Sequence, residues 1–138
     1  MILVDTSCWI EFFRPDGSRA VQAELKRWLA ADRVAICGPV RAELLRGTRK
    51  PDVVRVSRAL SALHHLETLD EDWHHVALHA RTLADTAQHV PLVDLLIAVV
   101  AHRHGAAVAH LDRHCQQIGR VLSVELHDLG DVRGTVSP

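Results

Sequence analysis

Two apolar runs that end on aspartates limit what this chain can fold into. Ile2-Leu3-Val4 stops at Asp5, and Ala106-Ala107-Val108-Ala109-His110-Leu111 stops at Asp112. A short apolar run without polar alternation reads as a strand buried on both faces, the habit of parallel sheets. Parallel strands need crossover connections, usually helical, and open sheets of this kind place ligands beyond their C-terminal strand ends. Asp5 and Asp112 therefore stand where chemistry is expected, and any acid that the topology returns to the same edge becomes a partner.

The sequence between them supplies the crossovers. After Asp5, Cys8-Trp9-Ile10-Glu11-Phe12-Phe13 carries the early aromatic bulk and ends at a turn, Arg14-Pro15-Asp16-Gly17. Ser18 suits the N-cap of a helix with Val21, Leu25, Trp28 and Leu29 at helical spacing. A second strand, Arg33 to Cys37, closes at Gly38-Pro39, with Pro39 in the first turn of a helix, Val40 to Arg46, that stops at Gly47. Asp52 begins a helix with Val53, Val56, Leu60 and Leu63 on one side, and Leu66 to Leu69 reads as a short strand. Asp70 or Asp72 caps a longer helix whose apolar stripe is Trp73, Val76, Ala77, Ala80, Leu83 and Ala84. Val90 to Ala101 is a helix apolar nearly all round, hence central. The strand stopping at Asp112 is followed by a short helix, Arg113 to Ile118, and a last strand, Val121 to Leu126. The expected fold class is α/β, a central, mainly parallel sheet flanked by helices over residues 1–126, with a polar C-terminal tail over 127–138.

Composition excludes several alternatives. A chain of 138 residues makes one domain and buries roughly two thirds of its unfolded surface without disulfides. Cys8, Cys37 and Cys115 form no CxxC pair and leave an odd count, which fits a reducing compartment. The strongest apolar run, Leu92 to Ala101, is broken by Asp94 and too short to span a membrane, and no signal-peptide pattern opens the chain. A cytoplasmic protein without membrane contact is expected. Lys+Arg 16 against Asp+Glu 17 announces no nucleic acid by global basicity. Arginine nevertheless outnumbers lysine, present only at Lys26 and Lys50, and it suits bidentate phosphate contacts; Arg14, Arg41, Arg46, Arg49 and Arg113 lie nearest the proposed edge.

Four carboxylates meet the topological criterion. Asp5 and Asp112 end strands, while Glu43 and Asp94 lie early in helices that follow prolines. Singly, each could be a cap. Clustered, they would repel one another unless a cation such as Mg²⁺ or Mn²⁺ joined them, and oxygen ligands suit these hard ions. Asp5 and Asp94 are the preferred inner ligands; Glu43 and Asp112 ligate directly or through water. One ion could activate a water while the same or a second ion stabilises charge on a phosphate. Thr6 bonds a carboxylate or holds the first turn, Ser7 reads as a turn or cap, and neither has a histidine-linked triad. Among eleven histidines, His75 and His79 lie one helical turn apart and could take a transition metal, as could His102 with His110 or His114. No cysteine pair or HExxH accompanies them, so the default is surface or packing, with His110 and His114 flanking Asp112 as substrate contacts beside Arg41 and Arg113.

In order and spacing, Ile2-Leu3-Val4-Asp5-Thr6-Ser7, Pro39-Val40-Arg41-Ala42-Glu43-Leu44, Pro91-Leu92-Val93-Asp94-Leu95-Leu96-Ile97-Ala98 and His110-Leu111-Asp112-Arg113-His114 resemble the motifs of PIN-domain ribonucleases. Within that family the resemblance is to the VapC toxins of bacterial toxin–antitoxin pairs. It implies a three-layer PIN-like fold and an endoribonuclease that hydrolyses RNA phosphodiester bonds with a water activated by Mg²⁺ or Mn²⁺. It also implies a homodimer neutralised by a cognate antitoxin. The family's catalytic, metal-binding acids fall on Asp5, Glu43, Asp94 and Asp112, and its supporting hydroxyl on Thr6. His110 departs from the usual Thr or Ser, and Cys115 from the usual aromatic residue. A non-catalytic RNA-binding or interaction protein of the same fold is the alternative, although a pure binder gains nothing from an acidic pocket facing phosphate. Two further expectations follow: an apolar stripe through Trp28, Leu29, Val56 and Leu60 exceeds the needs of a small core and marks a dimer face, and the antitoxin sets an Arg or Lys near Asp5 and Asp94 while its apolar helix fills a nearby groove.

Overall fold

In the computed structural model, which describes residues 1–130, the first apolar run becomes the central strand. β1 (Ile2–Val4) pairs with β2 (Val34–Cys37) through Ile2↔Val34 and Leu3↔Ala35. On its other side it pairs with β4 (Ala107–His110) through Ile2↔Ala107, Leu3↔Val108 and Val4↔Ala109. β3 (His64–Leu66) lies outside β2 and β5 (Leu126–Asp128) outside β4, giving the order β3-β2-β1-β4-β5 with every pairing parallel. β1, β2 and β4 are buried throughout, which is why their sequences do not alternate. After β1 the chain builds outward through β2 and β3, then crosses back to lay β4 on the opposite side of β1. The direction of winding reverses between β1 and β4, so the ligand crevice belongs at the ends of these two strands, beside Asp5 and Asp112.

Helices α1 (Thr6–Phe13), α2 (Arg19–Ala30), α3 (Gly38–Gly47), α4 (Val53–Ser61), α5 (Asp70–Asp85), α6 (Leu92–Arg103) and α7 (His114–Ile118) cover the sheet. The aromatic segment after Asp5 is itself helical, with Trp9 5.5 Å from Phe12 and 5.7 Å from Phe13 between ring centroids. Ser18 caps α2 as expected, its hydroxyl accepting from the Val21 N–H at 3.3 Å, while Glu11 accepts from the Ser18 N–H at 2.7 Å. Pro39 opens α3 and Gly47 ends it. α6 is buried from 95 to 101 and packs on α3, α5, α7, β1 and β4, holding its first turn firmly at the sheet edge.

Several expectations shift. β3 lies at His64–Leu66 rather than at 66–69, and β5 at Leu126–Asp128 rather than at 121–126, because the ladders with Ala35–Cys37 and Val108–His110 set the register. β5 and the buried Leu129 carry the fold past residue 126; the tail from 131 onward lies outside the described residues. Trp28, Val56 and Leu60 are buried in the chain's own core, with Leu29 packed against it, so this stripe marks no dimer face. On α5 only Val76 and Leu83 of the expected stripe are buried, and Trp73 is 46% exposed. Asp72 is buried in the first turn of α5, accepts from the Leu69 N–H at 2.8 Å, and receives Arg103 of α6 through two bonds of 2.8 and 3.0 Å. Among the described residues no helix is long and apolar enough to cross a membrane.

Candidate active site

Asp5 occupies the N-cap position of α1 but makes no capping hydrogen bond, so the default role for a strand-ending aspartate does not apply. The residue is only 8% exposed, and its carboxylate accepts from the Ser7 hydroxyl at 2.8 Å. The Ser7 oxygen in turn accepts from the Leu111 N–H at 3.3 Å, which stitches the end of β1 to the residue before Asp112. Glu43 reaches in from α3, where the Thr6 hydroxyl donates to its Oε1 at 3.0 Å. Thr6 thus holds a carboxylate. Asp112 accepts from the His114 N–H at 3.0 Å, and His114 Nε2 lies 3.8 Å from the same oxygen.

Asp94, in the first turn of α6, makes no side-chain hydrogen bond among the described residues. Burial, then the charges of Asp5 and Asp112, push its carboxyl up to about 6; His114 opposes this and Glu43 adds to it. The charges of the other three acids therefore all bear on Asp94 at one sheet edge. Ligand atoms of Asp94, Asp112 and His114 lie within 4.8 Å of one another. Carboxylate oxygens with one imidazole, and an unrelieved negative charge, form a donor set that fits a hard divalent cation.

A PIN domain family model matches residues 2–121. The chain belongs to the PIN-domain family. It is similar to a protein named Ribonuclease VapC11 from Mycobacterium tuberculosis, with 35% identity over 132 residues covering 91% of this chain and 96% of the relative. Among solved structures, FitAcB from Neisseria gonorrhoeae aligns with TM-score 0.78 at 20% identity, covering 99% of this chain and 100% of that one. VapBC-5 from M. tuberculosis, described as a member of the VapBC family of toxin–antitoxin systems, aligns with TM-score 0.61 at 23% identity, covering 91% and 96%. At these identities the structural likenesses bear on fold alone.

Around the carboxylates of this PIN domain, two of the expected substrate contacts are otherwise placed. His110 is only 1% exposed, because β4 extends through it and pairs with Asp128; its Nδ1 is buried without a hydrogen bond among the described residues. Arg41, two residues from Glu43 on α3, projects from a different face and donates to the hydroxyls of Ser57 and Ser61 on α4, at 3.0 and 3.2 Å. Arg113 is exposed beside Asp112, and His114 stands within ligand range rather than only at the rim. Ser7 is the residue that sequence underrated; its signal was a hydroxyl two positions after a strand-ending acid. The three thiols are buried and held in the protonated form: burial, then the charge of Asp5, raises Cys8 and Cys115 far above the ordinary range, and burial raises Cys37 to about 11. Behind Asp5 and Asp94 a cavity of about 10 Å³, lined also by Cys115, has room for one water.

A groove of about 470 Å³ between α1 and the α3–α4 region runs into this centre at Glu43. Ile10, Phe13, Leu44 and Val56 give it apolar walls, and Arg14, Arg49 and Arg55 a basic margin. Arg55, unmarked in the sequence, also lies 5.9 Å from the centre of the Phe13 ring.

Proposed function

We propose that this PIN domain is the toxin endoribonuclease of a toxin–antitoxin pair, hydrolysing RNA phosphodiester bonds with Mg²⁺ or Mn²⁺. The observation that carries the reading is Asp94: a carboxylate with no side-chain hydrogen bond among the described residues, its pKa raised by burial and then by three other acids, is costly in a structural role and useful as a cation ligand. Asp5 and Asp94 would hold the ion, with Asp112 and Glu43 contributing directly or through water and His114 within ligand range of Asp94 and Asp112. When bound there, the cation lowers the pKa of a coordinated water and offsets charge on the phosphate. Ser7 and Thr6 fix the carboxylates of Asp5 and Glu43, so the donor set is oriented before substrate arrives. Buried α6 and β1 keep water access confined to the open edge. Arg113 binds backbone phosphate outside the acidic centre, which itself would repel RNA.

The name of the 35% identical relative, Ribonuclease VapC11, supports the activity, and the VapC resemblance implies a protein inhibitor. The inhibitor's apolar helix occupies the α1/α3–α4 groove, which Glu43 lines, and sets a basic side chain near Asp5 and Asp94. The working form is a cytoplasmic homodimer; with Trp28, Val56 and Leu60 buried, exposed Trp73 and Leu78 of α5 supply the apolar surface for it. Sequencing of 5′ ends after controlled expression tests the activity. New 5′-phosphate ends with the parent chain and none with Asp5→Asn are expected; the same ends from both, or none from either, contradict it.

A further inference from the structure

A second groove, of about 510 Å³, lies between α5, α6 and the 121–123 segment, and the carboxylate centre makes no use of it. Glu71, His75 and His79 of α5 line it together with His102 of α6 and Ser123. We propose that it binds one divalent transition-metal ion of the Zn²⁺ class on the imidazoles of His75, His79 and His102, joining α5 to α6.

His75 and His79 are four residues apart on one helix, so their rings stand one above the other on the same face. His102 faces them from the last turn of α6. Its Nδ1 lies 2.7 Å from the Ser123 carbonyl oxygen. A carbonyl only accepts, so the neutral ring carries its proton on Nδ1 and leaves the Nε2 lone pair for a ligand, the arrangement that orients metal-binding imidazoles. The three imidazoles line one groove without yet sharing ligand range, so binding draws them together by side-chain rotation; His75 is half-exposed with Nε2 3.6 Å from Glu71, which leaves a carboxylate at hand as fourth ligand or counter-charge. The groove's guanidinium, Arg103, is already engaged by Asp72 and the Glu67 carbonyl. Imidazoles favour Zn²⁺, Ni²⁺ or Cu²⁺ over Mg²⁺, so the two centres differ in chemistry as well as place.

Calorimetric titration of Zn²⁺ into the full-length chain tests this, with Asp94→Asn as background so that binding at the carboxylates is suppressed. One Zn²⁺ per chain is expected there, and adding His79→Ala or His102→Ala weakens binding by at least about tenfold. Excess Zn²⁺ raises the Tm of Asp94→Asn and leaves that of the double variants unchanged. Circular dichroism verifies folding, and if His102→Ala does not fold, the half-exposed His75→Ala carries the same comparison. No Zn²⁺ binding in the Asp94→Asn background, or binding indifferent to the histidine substitutions, overturns the proposal.

Discussion

Asp94 is where the electrostatics of the carboxylate centre converge, and its raised pKa fixes the direction of two pH effects. Between the ordinary carboxylate range and about 6, the ion-free folded chain keeps a proton that the unfolded chain has released. By linkage, this group therefore costs stability as pH rises through that window. A divalent cation displaces the same proton, so Mg²⁺ affinity should increase from about pH 5 to 7, with proton release on binding. Calorimetry in buffers of different ionisation enthalpy measures both; affinity independent of pH would remove the assignment of Asp94 as a ligand. Ser7 acts beside it through two hydrogen bonds, and Ser7→Ala leaves the Leu111 N–H without its partner. About 1–2 kcal/mol of stability should be lost, read by urea denaturation; an unchanged midpoint would show the relay to be idle. The four acids are legible in the sequence because Asp5 and Asp112 follow apolar strands, Asp94 opens α6, and Glu43 lies in the second turn of α3, which starts at the sheet edge. Ser7 and His114 are less so, since their importance depends on side-chain directions within turns. His110 misleads because a residue next to an acid reads as exposed until the strand is seen to continue through it.

α5 and α6 show what holds the elements that present the site. α6 is fixed by apolar burial along its length, whereas α5 is amphipathic and is tied at its first turn by the Asp72–Arg103 pair. Asp72→Ala strands the Leu69 N–H and the Arg103 guanidinium together, and should cost about 3 kcal/mol in chemical denaturation. A loss below about 1 kcal/mol would mean that solvent already satisfies both groups. The existence and order of most elements follow from apolar runs, prolines and caps visible in the sequence. The bounds of β3 and β5 do not, because these outer strands carry exposed or half-buried residues and take their register from a partner. The helix α1 is obscured by the aromatic cluster that fills it.

At the scale of the molecule, the reversal of winding between β1 and β4 is what turns scattered acids into a centre. Asp5 and Asp112 are over a hundred positions apart yet share this edge, and α3 and α6 deliver Glu43 and Asp94 to it. The alternation of strands and helices in the sequence suggests that convergence through topology, and the parallel order of the strands accomplishes it. The apolar groove beside Glu43 and the histidine groove under α5 were not visible as cavities in the sequence, because each is made by helices from separate crossovers. The most direct test of the central claim is single-turnover RNA cleavage by purified parent and Asp94→Asn proteins, with Mg²⁺ or Mn²⁺ and with chelator. Both proteins should give the same far-ultraviolet dichroism, while the parent cuts only with the metal and the variant is slower by at least about a hundredfold. Cleavage by folded Asp94→Asn at the parent rate, or parent cleavage undiminished by chelator, would contradict the account.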